Sequence, residues 1–208
     1  MEVFKINPNH PDPSVIERVR NVLRAGGVIV YPTDTCYGLG CDARNKRAKR
    51  RIGQMKRRGE EKRFSVIVRD LDQAADITQL TDDQKLMLNQ YLPGPFTFIL
   101  INTDLRIASA STLGVRIPDY PVTQAIAQVF TEPFITTSAN ISGVSEPYSR
   151  YALNEGVLRS SATEHPDVVI DAGELPKNQP STVVDLTSKP PHVIREGARP
   201  FIWPLRAE

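Results

Sequence analysis

Short apolar runs broken by Pro, Gly, Ser and Thr alternate along this chain with stretches whose apolar side chains recur every three or four positions. The first rhythm is that of buried strands and the second that of amphipathic helices. Residues 3–6 read as a strand. Asp12, Pro13 and Ser14 then supply an N-cap with proline in the first turn, and Val15, Ile16, Val19, Val22 and Leu23 share one helical face until Gly26-Gly27 stops it. Residues 28–31 are continuously apolar, as in a strand covered on both faces, and Pro32 closes them at the start of a Thr-rich loop. A basic helix is predicted over 43–56 and a strand over 64–68. Thr81 with Gln84 forms a capping box that starts a helix through Leu92, where Pro93-Gly94-Pro95 breaks it. Strands follow at 96–101 and 115–117. Val122, Ala125, Ile126 and Val129 mark another helix, and 134–137 another strand. A helix near 151–158 and strands at 168–170, 182–185 and 192–195 complete the pattern. The fold class is α/β, an open twisted mixed sheet flanked by helices, with residues 1–208 as one domain. In such sheets ligands gather outside the strand termini, where loops converge.

Composition narrows the class. At 208 residues, 40% apolar and 24% charged, the chain is long enough to bury a real core. The longest purely apolar stretch, 98–101, is far too short to cross a bilayer, and the N-terminus lacks the pattern of a signal or transit peptide. A cytoplasmic protein with no membrane contact is expected. Cys36 and Cys41 match neither a zinc spacing nor a CxxC pair, so free thiols are expected, with no disulfide and no metal-ligating residues. The net charge of +2 conceals an asymmetry: residues 44–63 carry eleven Lys/Arg against Glu60 and Glu61, a local +9, leaving −7 elsewhere. That patch reads either as the solvated face of a helix or as a surface for nucleotide or RNA phosphates.

Four segments carry candidate chemistry. An apolar Pro133-Phe134-Ile135 leads into Thr136-Thr137-Ser138-Ala139-Asn140-Ile141-Ser142-Gly143, a strand end crowded with donors and acceptors. The others are the loop from Tyr31 to Gly40, Lys56-Arg57-Arg58, and Gly114-Val115-Arg116-Ile117-Pro118. Together they suggest one anion site. Lys56 and Arg58 are either ordinary surface cations or a grip on a triphosphate. Arg116, inside an apolar strand, either pairs with a core carboxylate or faces a ligand anion, because an unpaired charge there is costly.

The segments Tyr31-Pro32-Thr33-Asp34-Thr35, Tyr37-Gly38-Leu39-Gly40, Lys56-x-Arg58, the 93–97 Pro-Gly-Pro-Phe-Thr, the 115–118 Val-Arg-Ile-Pro, the 137–143 Thr-Ser-Ala-Asn-Ile-Ser-Gly, the 180–185 Pro-Ser-Thr-Val-Val-Asp and the 194–197 Ile-Arg-Glu-Gly together resemble the YrdC family. They occur in the family's order across most of the chain. The resemblance implies an L-threonylcarbamoyl-AMP synthase, a nucleotidyltransferase. Such an enzyme makes threonylcarbamoyl-adenylate and pyrophosphate from L-threonine, bicarbonate and ATP, for threonylcarbamoyladenosine in tRNA. It implies ATP binding by Lys56, Arg58, Ser138, Asn140, Ser142 and Arg195, with Lys56 and Arg58 as the catalytic cations. It implies threonine binding by Thr33, Thr35, Arg116 and Ser181, with Arg116 on the carboxylate. The Mg2+ it implies arrives on the phosphates of ATP, and the implied partners are tRNA or double-stranded RNA and a downstream threonylcarbamoyl transferase.

The chain departs from the family pattern at Gly59, where proline often follows, and at Arg63-Phe64, where Pro-Leu is common. A related branch, the YciO type, has an altered Ser/Asn loop, whereas Thr137-Ser138-Ala139-Asn140 is intact here. The alternative is a non-catalytic RNA-binding module of the YrdC/YciO type, which would use the 44–63 patch. Against it stands the sparse aromatic content of 7%, with none interleaved in the basic run for base stacking.

Overall fold

Each apolar run bounded by Pro, Gly or Thr becomes a strand, and their order builds a two-sided sheet in the computed structural model, which describes residues 1–57, 64–155, 157–159 and 165–203. The strands are β1 (Glu2–Lys5), β2 (Ile29–Pro32), β3 (Tyr37–Gly40), β4 (Ser65–Ile67), β5 (Thr78–Gln79), β6 (Phe96–Asn102), β7 (Thr112–Arg116), β8 (Phe134–Ser138), β9 (Val168–Asp171), β10 (Thr182–Asp185) and β11 (His192–Arg195). Among the described residues they form one sheet in the order β1-β9-β2-β3-β8-β4-β7-β6-β10-β11, with β5 on the end of β6. Parallel pairs (β1 with β9, β9 with β2, β4 with β7, β6 with β10) occur beside antiparallel ones, so the sheet is mixed as expected.

The helices are α1 (Pro13–Arg24), α2 (Lys46–Met55), α3 (Leu71–Ile77), α4 (Asp82–Leu88), α5 (Pro121–Phe130) and α6 (Arg150–Glu155), the last followed by a 3-10 turn at Val157–Arg159. Asp12 caps α1 through its carboxylate, and Thr81 and Gln84 form the expected capping box on α4. Gly26 ends α1 at φ +80, a conformation that costs glycine little. The expected helix through Leu92 stops at Leu88, and the expected 115–117 strand instead spans Thr112–Arg116. Strand β3, helix α3 and strand β5 escape the periodicity reading: β3 is half glycine, and α3 is barely two turns long. Among the described residues no helix is long and apolar enough to cross a membrane, and Cys36 and Cys41 are buried free thiols.

The sheet has different companions on its two faces. On one side Val30, Leu39, Val66, Phe98, Leu113, Val115 and Ile135 pack with Ile52 and Met55 of α2, Ala74 of α3 and Leu88 of α4. On the other, Ile29, Tyr31, Ile67, Phe134 and Val168 pack with Ile16, Val19 and Leu23 of α1 and Ile126 and Phe130 of α5. The α1–α5 layer ends near Tyr31, whose hydroxyl donates to Thr136 Oγ1 at 2.7 Å. Beyond that bond the same face, across β8, β4, β7, β6 and β10, is lined by small and polar side chains and stays open.

The basic helix divides its charges between its own fold and solvent. Arg44, just before α2, reaches Asp104 at 3.0 Å and also pairs with Glu132; Lys49 Nζ donates to the Ile107 carbonyl at 2.6 Å; Arg51 pairs with Asp167 at 2.9 Å. Lys46, Arg47, Arg50 and Arg57 are exposed. The 44–63 patch is therefore part scaffold and part solvated surface, and its 58–63 portion lies outside the described residues. Asp104, almost fully buried between Arg106 and Arg44, has its carboxyl held well below the usual range, first by the Arg106 hydrogen bond. A depressed folded-state pKa stabilises the fold above the unfolded value of about 4, and that stability drains away as pH falls toward the folded value. Asp104→Asn is therefore expected to lower the thermal midpoint at pH 7 through loss of about 2 kcal/mol, with the deficit shrinking below about pH 4. Thermal unfolding of both proteins across pH 2–7 checks this.

Candidate functional site

Alternate positions of neighbouring strands build one cavity of about 330 Å3 on the open half of the sheet face. Its floor is Thr97 and Ile99 of β6, Thr112, Gly114 and Arg116 of β7, Ser65 of β4, Thr136 and Ser138 of β8, and Val183 of β10. The register aligns Thr136, Ser65, Gly114 and Ile99 in one row, so the two-residue period of a strand turns all of them to the same side. The walls are Cys36, Phe64, Thr137, Glu146, Pro180, Ser181 and Arg195. A side chain at Gly114 would put its Cβ 2.5 Å from Ser65 Oγ and 3.3 Å from Thr97 Cγ2, so glycine lets three strands carry polar groups side by side. The expectation of a site outside the strand termini is corrected here: the cavity lies across the face of the sheet, where no helix covers it.

Arg116 is the most constrained residue of the cavity. Its Nη2 donates to Asp34 Oδ1 at 3.0 Å and approaches Thr35 Oγ1 at 3.4 Å. Its Nε is buried and has no hydrogen-bond partner among the described residues. Of the two readings of Arg116, pairing with a core carboxylate is observed, and the residue also lines the cavity. Asp34 also accepts the Asp119 N–H at 3.1 Å; burial pushes its carboxyl upward while Arg116 pulls it down. Arg195 crosses from β11 to donate from Nε and Nη2 to the Ser181 carbonyl at 3.1 and 2.8 Å, and Ser181 Oγ lies 2.8 Å from Thr97 Oγ1. Burial, and next the nearby Arg116 charge, hold the Arg195 guanidinium below its ordinary range. Two cations line one cavity, an arrangement whose charge is complementary to an anion.

The other expected site residues divide into groups. Ser138 and Ser181 are on the cavity wall with Arg116 and Arg195. Thr35 touches the cavity through Arg116, whereas Thr33 builds the β2–β3 turn, its hydroxyl donating to the Cys36 carbonyl at 2.7 Å and accepting the Thr35 N–H at 3.1 Å. Lys56 is buried behind the wall. Its ammonium donates to the Ser138 carbonyl, to the Asn140 carbonyl at 2.8 Å and to Asn140 Oδ1 at 3.0 Å. Asn140 in turn accepts from Ser138 Oγ at 2.6 Å and donates to the Val144 carbonyl, and the Ser142 N–H donates to the Lys56 carbonyl at 3.0 Å. Lys56, Asn140 and Ser142 thus shape the loop that presents Ser138. Arg58, with Gly59 and Arg63, lies outside the described residues. Sequence reading missed Thr97, Thr112 and Glu146 as cavity residues; the alternation Thr97-x-Ile99, Thr112-x-Gly114-x-Arg116, Thr136-x-Ser138 was the available signal. Cys36 also reaches the wall, but burial pushes its thiol up to about 11, so it stays protonated at neutral pH and is no ready nucleophile.

Replacing Arg116 with Met removes the guanidinium and keeps the length. Asp34 is then expected to titrate at a higher pH than in the parent, and the fold to lose about 3 kcal/mol at pH 7. A raised folded-state pKa makes stability fall as pH rises, so the deficit should shrink toward pH 4. Carboxyl-carbon NMR titration of Asp34, with chemical denaturation at both pH values, checks this.

Comparison with known proteins bears on this geometry. Uncharacterized protein YciO of Escherichia coli K12 is 31% identical over 97% of this chain and 99% of its own length. The crystal structure of E. coli YciO superposes with a TM-score of 0.83 at 32% identity, covering 95% of this chain and 96% of that one. The Pyrococcus abyssi protein named threonylcarbamoyl-AMP synthase is 28% identical over 86% of this chain and 53% of its own length. The crystal structure of P. abyssi Sua5 complexed with L-threonine has a TM-score of 0.85 at 26% identity, covering 95% of this chain and 58% of that chain. The family model Sua5_yciO_yrdC, described as "Telomere recombination", matches residues 21–197, and the chain belongs to the Sua5/YciO/YrdC family.

Proposed function

We propose that the protein is an L-threonylcarbamoyl-AMP synthase. The observation that carries this reading is the convergence of Arg116 and Arg195 on one hydroxyl-lined cavity. Two guanidiniums sharing one cavity suit two anions: an amino-acid carboxylate and a nucleotide phosphate. The relative named threonylcarbamoyl-AMP synthase and the relative bound to L-threonine support the choice of substrates.

In this reading Arg116, which lines the cavity, takes the threonine carboxylate on its guanidinium, with Thr35 and Ser181 close by. The amine of threonine attacks the carbon of bicarbonate, forming an N–C bond and releasing water, and the product is a carbamate. A carbamate oxygen then attacks the α-phosphorus of ATP in line, and the bond to the β-phosphate bridging oxygen breaks to release pyrophosphate. Apart from the proton lost by the amine, little acid–base work is needed, so positioning and charge neutralisation dominate. Arg195 and Arg58 neutralise the phosphates, and Ser138 donates from the loop that Lys56 and Asn140 hold. Magnesium enters as part of the MgATP substrate, bound through phosphate oxygens and water. Among the described residues no three His, Cys, Asp or Glu side chains cluster to form a protein metal cage. The mixed anhydride product is suited to a transferase that moves the threonylcarbamoyl group to a tRNA adenosine.

Pyrophosphate release with MgATP is expected to require both L-threonine and bicarbonate. Release that needs neither, or none from a folded protein, would overturn the reading. An RNA-binding module would instead show RNA affinity falling steeply with salt through the exposed Lys46, Arg47, Arg50 and Arg57, with no threonine-dependent turnover. Arg195→Ala and Arg58→Ala are each expected to cut kcat/KM for ATP at least tenfold, about 1.4 kcal/mol of transition-state stabilisation. Wild-type rates from either folded variant would remove that residue from the site.

A further inference from the structure

The cavity holds one charge that the reading above does not use. Glu146 lines the wall shared by Cys36, Arg116 and Arg195, and its carboxylate makes no hydrogen bond or ion pair among the described residues. Its position is fixed by its neighbours. The Pro147 carbonyl accepts the Tyr37 N–H at 2.9 Å, and the Tyr148 carbonyl accepts the Leu175 N–H at 2.7 Å. The Tyr148 hydroxyl donates to the Asn178 carbonyl at 2.8 Å, and Asn178 Nδ2 donates to the Asp34 carbonyl at 3.0 Å. The loop carrying Glu146 is thus tied to the turn that supplies the partner of Arg116. The negative field of Glu146 acts on Cys36, which follows Thr35, and on Arg195. Cys36 feels the charges of both Arg116 and Glu146, so the carboxylate shares a cavity wall with the two guanidiniums.

A carboxylate in a pocket built for anions is a misfit unless the ligand also brings a positive charge. A nucleoside triphosphate brings none, and Glu146 would repel it. A free α-amino acid does, a few ångströms from its carboxylate. We propose that Glu146 is the counter-charge for the α-ammonium group of the amino-acid substrate, making the cavity selective for a zwitterion. This rests on the reading of the cavity as an amino-acid site and adds a specificity-determining residue to it. Arg116 recognises the carboxylate and Glu146 the ammonium, so the amine is aimed before it is carbamoylated. A carboxylic acid of the same size without the amine would meet an unsatisfied Glu146.

The test is calorimetric titration of the full chain with L-threonine, with (R)-3-hydroxybutanoate, which lacks the amine, and with MgATP. The wild type is expected to bind threonine at least tenfold more tightly than hydroxybutanoate. Glu146→Gln should weaken threonine binding at least tenfold while leaving hydroxybutanoate and MgATP unchanged, and Glu146→Asp, which keeps the charge, should recover part of the loss. Unchanged threonine affinity in Glu146→Gln overturns the proposal and leaves the synthase reading intact. Loss of MgATP affinity without loss of threonine affinity also overturns it, assigning the carboxylate to the metal–nucleotide end. A wild-type protein that binds no threonine overturns the amino-acid reading and this inference together.

Discussion

A guanidinium set in the middle of a sheet must be answered from every side it faces, and much of this molecule is organised around that demand at Arg116. Water cannot reach its buried Nε, so the surrounding chain brings the compensation. Asp34 comes from the β2–β3 turn, whose shape is kept by the Thr33 hydroxyl, and Asp34 is itself steadied by the Asp119 N–H just beyond β7. One turn, one strand exit and the 178 loop therefore meet at a single charge. The compensation is incomplete, since the Nε is left without a partner among the described residues, and the same residue lines the cavity.

A second buried cation solves the same problem differently. Lys56 gives its ammonium to two carbonyls and an amide oxygen of the 138–140 segment and is closed off from the cavity wall. One basic side chain thereby lines the cavity and the other braces a polar loop, though both are buried or nearly so. Substituting the brace would change the shape of the loop, and substituting the cavity residue would change its charge. The two kinds of damage would look alike in an activity assay and differ in the structure of the Ser138 loop.

Much of this was legible in the chain. The runs at 28–31, 96–101 and 134–137 became strands because their apolar periodicity and their Pro, Gly and Thr boundaries agreed with each other. Arg116 stood out because a lone charge between Val115 and Ile117 violates the pattern around it. Strand β3 was hidden because Gly38 and Gly40 carry little strand signal of their own; they are placed by pairing with β2 and β8, a tertiary effect. The cavity face was hidden for a related reason. Thr112, Gly114 and Thr97 are ordinary residues taken singly, and only the register that aligns them across β7, β4 and β6 makes a surface of them. Lys56 looks like any other member of its basic run, and only burial removes it from the surface.

The insertion of β9 between β1 and β2 has a consequence for how the molecule is made. Strands β1 and β2 do not hydrogen-bond to each other, since their shared partner is Val168–Asp171, more than a hundred residues later. Throughout most of synthesis both strands therefore present bare backbone edges, the condition under which nascent chains pair wrongly with one another. Arg195, on β11, arrives later still. A prematurely released chain would therefore carry Asp34 and Arg116 without the second cation that lines the cavity.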